Sequence, residues 1–298
     1  MIHIRVPATS ANLGPGFDSA GLALQLYNDV YMEEWDGVSI TSLDETAVPT
    51  GENNLIYATA KDLFQRCGRP FYGLKIQQET RIPMTRGLGS STACLVAGLA
   101  GANCLMGSPL SQQDIVNLSA VLEGHPDNTT PAVVGGYINA VLENERVYYA
   151  KQTPCSTLGF TVMIPPFQMK TSFARSVLPR EVTMEDAVYN TSRAALLSWA
   201  IPAGNIDCIR VALGDTLHEP YRIGLIEGGE LARAMAAELG AYGVVISGAG
   251  STLLAVHAAQ DCEFALRMEE QLIQAGITGW KLQTLPCDMD GVCVNILD

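Results

Sequence analysis

Short stretches in which every second residue is apolar alternate along this chain with stretches whose apolar residues recur at helical spacing. This alternation predicts strands and helices in turn. The predicted strands cover residues 2–6, 38–43, 74–78, 133–142, 160–164, 243–247, 252–257 and 292–296. The predicted helices cover residues 54–66, 92–106, 112–122, 184–200, 205–216, 225–239 and 262–275. Because uniformly apolar strands and regular strand–helix units are not evident, we expect a layered α+β fold.

The length of 298 residues suits two modest domains better than one small core. A polar segment with a proline, residues 151–156, separates two strand patterns near the middle of the chain. We therefore expect domains at residues 1–155 and 156–298. A second irregular stretch, residues 165–181, contains three prolines and two arginines, which is typical of a functional loop.

The formal net charge is −13, and Lys and Arg form no runs. This pattern argues against nucleic acid and anionic membranes as partners. No apolar run approaches the roughly 20 residues of a membrane-spanning helix, and no secretory leader follows Met1. The eight cysteines lack C-x-x-C spacing, which favours reduced, mostly buried thiols. We expect a cytoplasmic protein.

A glycine- and serine-rich segment, Arg86-Gly87-Leu88-Gly89-Ser90-Ser91-Thr92, lies between a strand pattern and a helix pattern. Its glycines permit a tight loop, and the first N–H groups of the helix have no intrahelical partner, so the segment suits an anion such as phosphate. One hydroxyl is enough to cap a helix, which leaves a second free to ligate magnesium. No Lys follows the last Gly, so a Walker A loop is excluded. A capped helix without a ligand is the structural alternative.

The first strand pattern ends in a turn-rich segment, Pro7 to Asp18, which contains Asn12 and Asp18. Short polar side chains on a stiff backbone suit the recognition of a small hydroxylated ligand. An Asx-turn without a ligand explains the same residues.

A third block, Glu123-Gly124-His125-Pro126-Asp127-Asn128, follows a helix pattern. Glu123 could complete a magnesium site with a serine hydroxyl and nucleotide phosphates, while His125 and Asn128 could face a ligand. A solvated turn is the alternative for His125. A fourth block, Ser247 to Thr252, links two strand patterns and suits either a ligand loop or a plain hairpin.

Together these blocks resemble the GHMP kinase superfamily, named for galactokinase, homoserine kinase, mevalonate kinase and phosphomevalonate kinase. The resemblance spans essentially the whole chain. Within the superfamily, the Pro7–Asp18 and Glu123–Asn128 blocks have the forms typical of the homoserine kinase family. The segments Asn190–Leu196 and His218–Arg222 agree with that family as well.

The resemblance implies a GHMP kinase fold, with an N-terminal domain like domain 2 of ribosomal protein S5 and a C-terminal ferredoxin-like α/β sandwich domain. It implies an active site between the domains and a homodimer. The implied activity is the ATP- and Mg²⁺-dependent phosphorylation of the hydroxyl group of homoserine. Another GHMP kinase with a mevalonate- or sugar-type acceptor, and a non-catalytic metabolite sensor with this fold, are the alternatives.

The resemblance also implies roles for particular positions. The residues implied in ATP binding are Asn54, Arg86, Gly87, Leu88, Gly89, Ser90, Ser91 and Thr92. Magnesium would be held by Ser91 and Glu123. The residues implied around homoserine are Asn12, Asp18, His125, Asn128, Thr171, Arg175 and Arg222. Asp18, Ser91, Glu123 and Arg175 are the predicted catalytic residues; the choice between Asp18 and Asp127 as proton acceptor stays open, and no catalytic base is assigned.

Overall fold

The computed structural model describes residues 1–297. Its strands are β1 (Ile2–Ala11), β2 (Ala20–Glu34), β3 (Gly37–Ser42), β4 (Gly73–Thr80), β5 (Tyr137–Glu143), β6 (Arg146–Gln152), β7 (Leu158–Ile164), β8 (Gly243–Ile246), β9 (Leu253–Ala258), β10 (Lys281–Thr284) and β11 (Cys293–Ile296). Its helices are α1 (Leu55–Arg66), α2 (Ser90–Leu105), α3 (Gln112–Glu123), α4 (Pro126–Val134), α5 (Thr171–Ser176), α6 (Met184–Ala203), α7 (Ile206–Ala212), α8 (Glu219–Arg222), α9 (Gly229–Glu238) and α10 (Phe264–Gln274). A 3₁₀ turn, Ile223–Leu225, follows α8.

These strands form two sheets. The first has seven strands in the order β11-β1-β2-β4-β3, with β5 pairing to β2 and β6 to β5. Its pairs are antiparallel except for β3 and β4. The second sheet has the order β10-β7-β9-β8 and is antiparallel throughout. Helices and antiparallel sheets arranged in layers confirm the expected α+β class.

One buried core joins the two sheets. Alternate residues of β7 and β9, such as Phe160 and Val256, share a cluster with β1, β2, α2 and α6. The other face of the second sheet packs in a separate cluster against α9 and α10, which includes Met163 and Phe264. The period of two along β7 therefore divides its apolar side chains between two layers of helices.

The sequence patterns missed strand β2, although it is the longest strand of the described chain. Its alternation is interrupted by Asn28 and Asp29, both of which are buried. The side chain of Asn28 accepts from the Ile82 N–H group, and Asp29 pairs with Arg5. These polar side chains are buried with hydrogen-bonding or ionic partners, so they interrupt the apolar alternation from which a strand is predicted. The predicted strand at 133–142 was partly wrong, because residues 133–134 end α4 and β5 begins at Tyr137.

The chain leaves the first sheet after Gln152 and enters the second at Leu158. Its last strand, β11, nevertheless returns to pair with β1 in the first sheet. The division at residue 155 remains a prediction about folding units, and Asp298 lies outside the described residues.

No helix in residues 1–297 combines the length and apolar character needed to cross a membrane. The expectation of mostly buried thiols was wrong: six cysteines are half-buried, and Cys262 and Cys293 are exposed.

Candidate active site

A cleft of about 570 Å³ opens where the loops of both sheets meet. Ligand cavities commonly have volumes of roughly 300–1,000 Å³. The cleft is lined by every site residue predicted from the sequence except Leu88, namely Asn12, Asp18, Asn54, Arg86, Gly87, Gly89, Ser90, Ser91, Thr92, Glu123, His125, Asn128, Thr171, Arg175 and Arg222. Leu88 is fully buried in the core beneath the loop.

Helix α2 begins at this cleft without a side-chain cap. Gly89 occupies the N-cap position with φ 72°, and none of the neighbouring hydroxyls closes the helix end. The expectation that one hydroxyl caps the helix was therefore wrong. Because the first N–H groups lack intrahelical partners, the positive end of the helix dipole is available to an anion. The helix is held by α1, β1 and α4, which fixes this end in place.

The loop before α2 interlocks with the late glycine loop, residues 247–252. Gly87 has φ 78°, and a Cβ atom there would lie 2.2 Å from the carbonyl oxygen of Ser247. The Ser247 hydroxyl donates to the Gly87 carbonyl oxygen at 2.6 Å, and the Thr252 N–H donates to Arg86 O at 3.0 Å. Glycine is thus required at position 87 by both conformation and space. The late glycine loop is therefore packed against the loop before α2, and its Gly248 and Ala249 line the cleft.

The third block meets the start of α2 across the cleft. Glu123 is the last residue of α3, and its Oε1 accepts from the Thr92 hydroxyl at 3.3 Å. Ser91 is exposed on the same wall. One carboxylate beside serine and threonine hydroxyls is an oxygen donor set that suits Mg²⁺, which binds few protein oxygens. The chemistry of this donor set fits the predicted metal.

At the other end of the cleft, Asp18 and Arg175 form a bidentate pair. Arg175 donates to Asp18 Oδ1 at 2.6 Å and to Oδ2 at 3.1 Å. The hydrogen bonds to Asp18 raise the pKa of Arg175, against the opposing effect of burial. Asp18 has φ 56°, a left-handed conformation that turns its carboxylate toward α5. Two residues predicted to contact a substrate are therefore already paired with each other.

His125 and Asp127 form a second polar pair at the same end. His125 precedes α4 as its N-cap residue, and its Nδ1 lies 2.5 Å from Asp127 Oδ1. Burial lowers the pKa of His125, but the hydrogen bond and charge of Asp127 outweigh it, so the pKa lies above its ordinary value. Ligand atoms of Asp18, His125 and Asp127 lie within 4.8 Å of one another. A cation there would compete with Arg175 for Asp18.

Arg222 is the most buried cation in the cleft, with 2% of its surface exposed. It donates to the carbonyl oxygens of Ala174 at 3.0 Å and Gly248 at 3.3 Å, and to His218 Nδ1 at 3.3 Å. Across residues 1–297 no carboxylate pairs with it. Burial lowers its pKa to about 10. A buried guanidinium with only neutral partners is suited to an anionic ligand.

His218 supports Arg222 as a neutral ring. Its Nε2 lies 2.9 Å from the Gly14 carbonyl oxygen, an acceptor, so Nε2 carries the proton and Nδ1 accepts from Arg222. Burial lowers the pKa of His218 below its ordinary value. The His218–Arg222 segment, singled out in the sequence, therefore supplies both a cation and the side chain that orients it.

Two predicted ligand residues have amides that are already engaged. Asn12 donates to the Gly248 carbonyl oxygen at 2.8 Å and accepts from the Asp18 N–H at 3.0 Å. Asn54 caps α1 and also donates to Pro49 O and to the Gln78 side chain. Their side chains hold loops around the cleft, and direct ligand contact by either remains a prediction.

Sequence reasoning missed several lining residues. Phe17 lies inside a quoted block but was not chosen as a site residue, and Asp127 was considered only as an alternative proton acceptor. The apolar end of the cleft is formed by Val48, Pro49, Leu55, Met84 and Cys94, which belong to no recognisable motif. Thr9 lies behind the wall, fully buried, and donates to Asn128 Oδ1 at 2.8 Å. Its position within the Pro7–Asp18 block was the only available signal.

The chain is similar in sequence to known enzymes over nearly its full length. Residues 54–136 match the family model described as the GHMP kinases N terminal domain. The homoserine kinase of Caldicellulosiruptor saccharolyticus is 42% identical over 297 residues, covering 99% of this chain and 96% of that protein. The homoserine kinase of Clostridium beijerinckii is 39% identical over 296 residues, covering 99% and 98%.

Solved structures agree with the sequence comparison. The homoserine kinase of Cytophaga hutchinsonii superposes with a TM-score of 0.86 at 25% identity, covering 99% of this chain and 97% of that one. The mevalonate kinase of Methanococcus jannaschii superposes with a TM-score of 0.69 at 13% identity, covering 97% and 98%. The second likeness shows the fold alone. The expected GHMP kinase fold is confirmed.

Proposed function

The chain belongs to the homoserine kinase family of the GHMP kinases, and on this basis we propose that it transfers the γ-phosphoryl group of ATP to the side-chain hydroxyl of L-homoserine. The product is O-phospho-L-homoserine, an intermediate of threonine biosynthesis. The observation that carries the proposal is that one cleft contains both the uncapped start of α2 and the unpaired, buried Arg222. The first suits a triphosphate, and the second suits the carboxylate of an amino acid.

In this proposal the triphosphate of ATP lies on the loop Gly87 to Ser91 and the nucleoside lies toward the apolar end of the cleft. Ser91 and Glu123 hold Mg²⁺, with the Thr92 hydroxyl beside them. Bound Mg²⁺ offsets the negative charge of the phosphates. Phosphoryl transfer depends mainly on positioning and charge stabilisation, which the fixed N–H groups of α2 supply without reorganisation.

The acceptor end is proposed to bind homoserine mainly through its α-carboxylate. Arg222 and Arg175 receive the α-carboxylate, while Asn128, Thr171 and the His125–Asp127 pair surround the rest of the molecule. Asp18 accepts a hydrogen bond from the reacting hydroxyl and so directs its oxygen toward the γ-phosphate. The Asp18 carboxylate is also bound by Arg175, so we propose that it orients the hydroxyl. No residue is assigned as a catalytic base.

A GHMP kinase with a mevalonate- or sugar-type acceptor is the second candidate. A neutral sugar gives Arg222 no anionic partner, which would leave this buried charge without compensation. Mevalonate would give Arg222 a carboxylate, so the preference for homoserine over mevalonate rests on the Glu123–Asn128 block, whose form is typical of the homoserine kinase family.

The test is an ATP-coupled assay of the purified chain with L-homoserine, mevalonate, galactose and L-threonine at equal concentrations. We expect Mg²⁺-dependent ADP release with L-homoserine and at least tenfold less with the others, the factor corresponding to about 1.4 kcal/mol of discrimination. Turnover of a sugar without turnover of homoserine would replace the proposal by the second candidate. Tight ATP binding without turnover of any acceptor would favour a metabolite sensor.

Family membership also leads us to propose a homodimer in the cytoplasm. Light scattering after size-exclusion chromatography should give twice the 31.9 kDa mass of the chain. A monomer of full activity would contradict the dimer proposal without affecting the proposed reaction.

A further inference from the structure

Phe17 contacts both arginines of the acceptor end. The guanidinium carbon of Arg175 lies 5.5 Å from the centre of the Phe17 ring, and that of Arg222 lies 5.4 Å from it. Both distances are within the roughly 6 Å over which an aromatic ring attracts a cation. The ring is half-buried and lines the cleft. Phe17 is therefore placed to influence both cations at once.

The two guanidinium groups differ in how they are neutralised. Arg175 is paired with Asp18, whereas Arg222 has hydrogen bonds to neutral atoms alone within residues 1–297. Two like charges that share one binding site repel each other. The negative face of the Phe17 ring offsets part of that repulsion without contributing a charge that would compete for an anion.

The segment that presents Phe17 is fixed on both sides. The carbonyl oxygen of Gly14 binds the His218 ring, and Pro15 O accepts from Asn190 at 3.3 Å. On the other side, the N–H of Asp18 donates to Asn12 at 3.0 Å. The His218 ring also stacks on Phe17 with centroids 5.2 Å apart. A ring held in this way is preorganised rather than free to turn away.

We propose that Phe17 is a positioning residue that holds Arg175 and Arg222 side by side and thereby makes the site selective for acceptors with a carboxylate. The ring does not touch the transferred phosphoryl group; it acts through the two arginines. This inference rests on the proposed function, because the carboxylate is that of the acceptor. Phe17 thereby contributes to acceptor specificity.

The experiment compares wild type, Phe17→Leu and Phe17→Tyr by three constants: the KM for L-homoserine, the KM for ATP, and the inhibition constant of 3-aminopropan-1-ol. The last compound is homoserine without its carboxylate. Phe17→Leu should raise the homoserine KM about tenfold while the ATP KM and the inhibition constant change less than about twofold. Phe17→Tyr keeps the ring face and should restore the homoserine KM to within about threefold of wild type.

Phe173→Leu is the matched control, because Phe173 lies exposed on α5 near Arg175 but does not line the cleft. It should leave all three constants unchanged. If Phe17→Leu does not fold, Phe17→Met carries the same expectation, with thermal unfolding measured for each variant.

An unchanged homoserine KM in Phe17→Leu would overturn the proposal. So would equal changes in the KM for homoserine and the KM for ATP, or equal changes in the homoserine KM in Phe17→Leu and Phe17→Tyr. Failure of the proposed function is separate, since it would appear as a wild-type chain that does not phosphorylate homoserine.

Discussion

Thr92 and Glu123 meet across the cleft, where the hydroxyl of the first donates to Oε1 of the second at 3.3 Å. The contact joins the start of α2 to the end of α3, at positions 31 residues apart in the sequence. It brings together the two segments that the sequence predicted to share a magnesium site. The proposed kinase reaction requires this meeting, because Mg²⁺ must reach both a protein carboxylate and the nucleotide phosphates.

Glu123→Gln removes the carboxylate charge with little change in shape. We expect kcat to fall at least about 100-fold, because a metal clamp on transferring phosphate contributes several kcal/mol. Steady-state kinetics over a range of Mg²⁺ concentrations will measure the loss, and a raised Mg²⁺ requirement should accompany it.

The matched control for this substitution is Glu269→Gln, an exposed position on α10, which should behave as wild type. A Glu123→Gln variant with nearly normal kcat at every Mg²⁺ concentration would show that Glu123 does not hold the metal.

Gly87→Ala tests the packing of the two glycine loops. A Cβ atom at Gly87 would lie 2.2 Å from the Ser247 carbonyl oxygen, so the loops must separate. We expect the KM for ATP to rise more than about tenfold, since a small displacement of a binding loop is costly.

Gly107 has a similar φ of 84° but open space around it. Gly107→Ala should therefore lower stability by about 1–2 kcal/mol and leave the ATP KM unchanged. Equal ATP constants in the two variants would argue against the interlocked loops.

Thr9→Val tests the support behind Asn128. The variant keeps the shape of the side chain but leaves Asn128 Oδ1 without the donor that lies 2.8 Å away. Stability should fall by about 1–3 kcal/mol, and the homoserine KM should rise more than the ATP KM because the amide is no longer held. Thr9→Ser retains the hydroxyl and should keep the homoserine KM near wild type. If Ser and Val raise that KM equally, the hydroxyl does not position Asn128.

His125, His218 and His257 should titrate in a defined order. Burial lowers the pKa of both His218 and His257, whereas Asp127 raises that of His125. The unfolded chain binds more protons than the folded one at His218 and His257 below about pH 6.5, so their contribution to stability is lost as the pH falls below that value. His125 contributes in the opposite sense, losing its contribution as the pH rises above about 6.5.

Histidine NMR titrations, assigned with single His→Gln variants, can check this order. In the folded protein, the rings of His218 and His257 should titrate at a lower pH than the ring of His125. In urea all four should titrate together near pH 6.5. Protonation of folded His218 above its unfolded pKa would contradict the assignment of its Nδ1 as the acceptor of the hydrogen bond from Arg222.

The sequence predicted the layered fold and most of the polar lining of the cleft, largely from signals that are local. The phosphate-loop prediction depends on consecutive residues, with Gly87 and Gly89 just before a helix pattern. The polar blocks around Asp18 and His125 are also short, continuous segments. Strand β2 was not predicted, because its buried residues Asn28 and Asp29 are satisfied by partners that are distant in sequence. A buried polar side chain with a tertiary partner gives no periodic signal.

Side-chain pairings were harder to predict than positions. The sequence placed Asp18 and Arg175 in the site, but their ion pair depends on how α5 packs against the Pro7–Asp18 segment. Likewise, the sequence placed Asn54 near the nucleotide but did not reveal that its side chain also caps α1. The apolar end around Met84 and Cys94 comes from four separate segments, so no motif could reveal it.

The most direct test of the central claim is ³¹P NMR of the wild-type chain with ATP, MgCl₂ and L-homoserine. We expect one new phosphomonoester resonance that grows in step with ADP, and a product with the mass of O-phospho-L-homoserine. ADP accompanied only by inorganic phosphate, or no reaction with homoserine while another alcohol is phosphorylated, would contradict it.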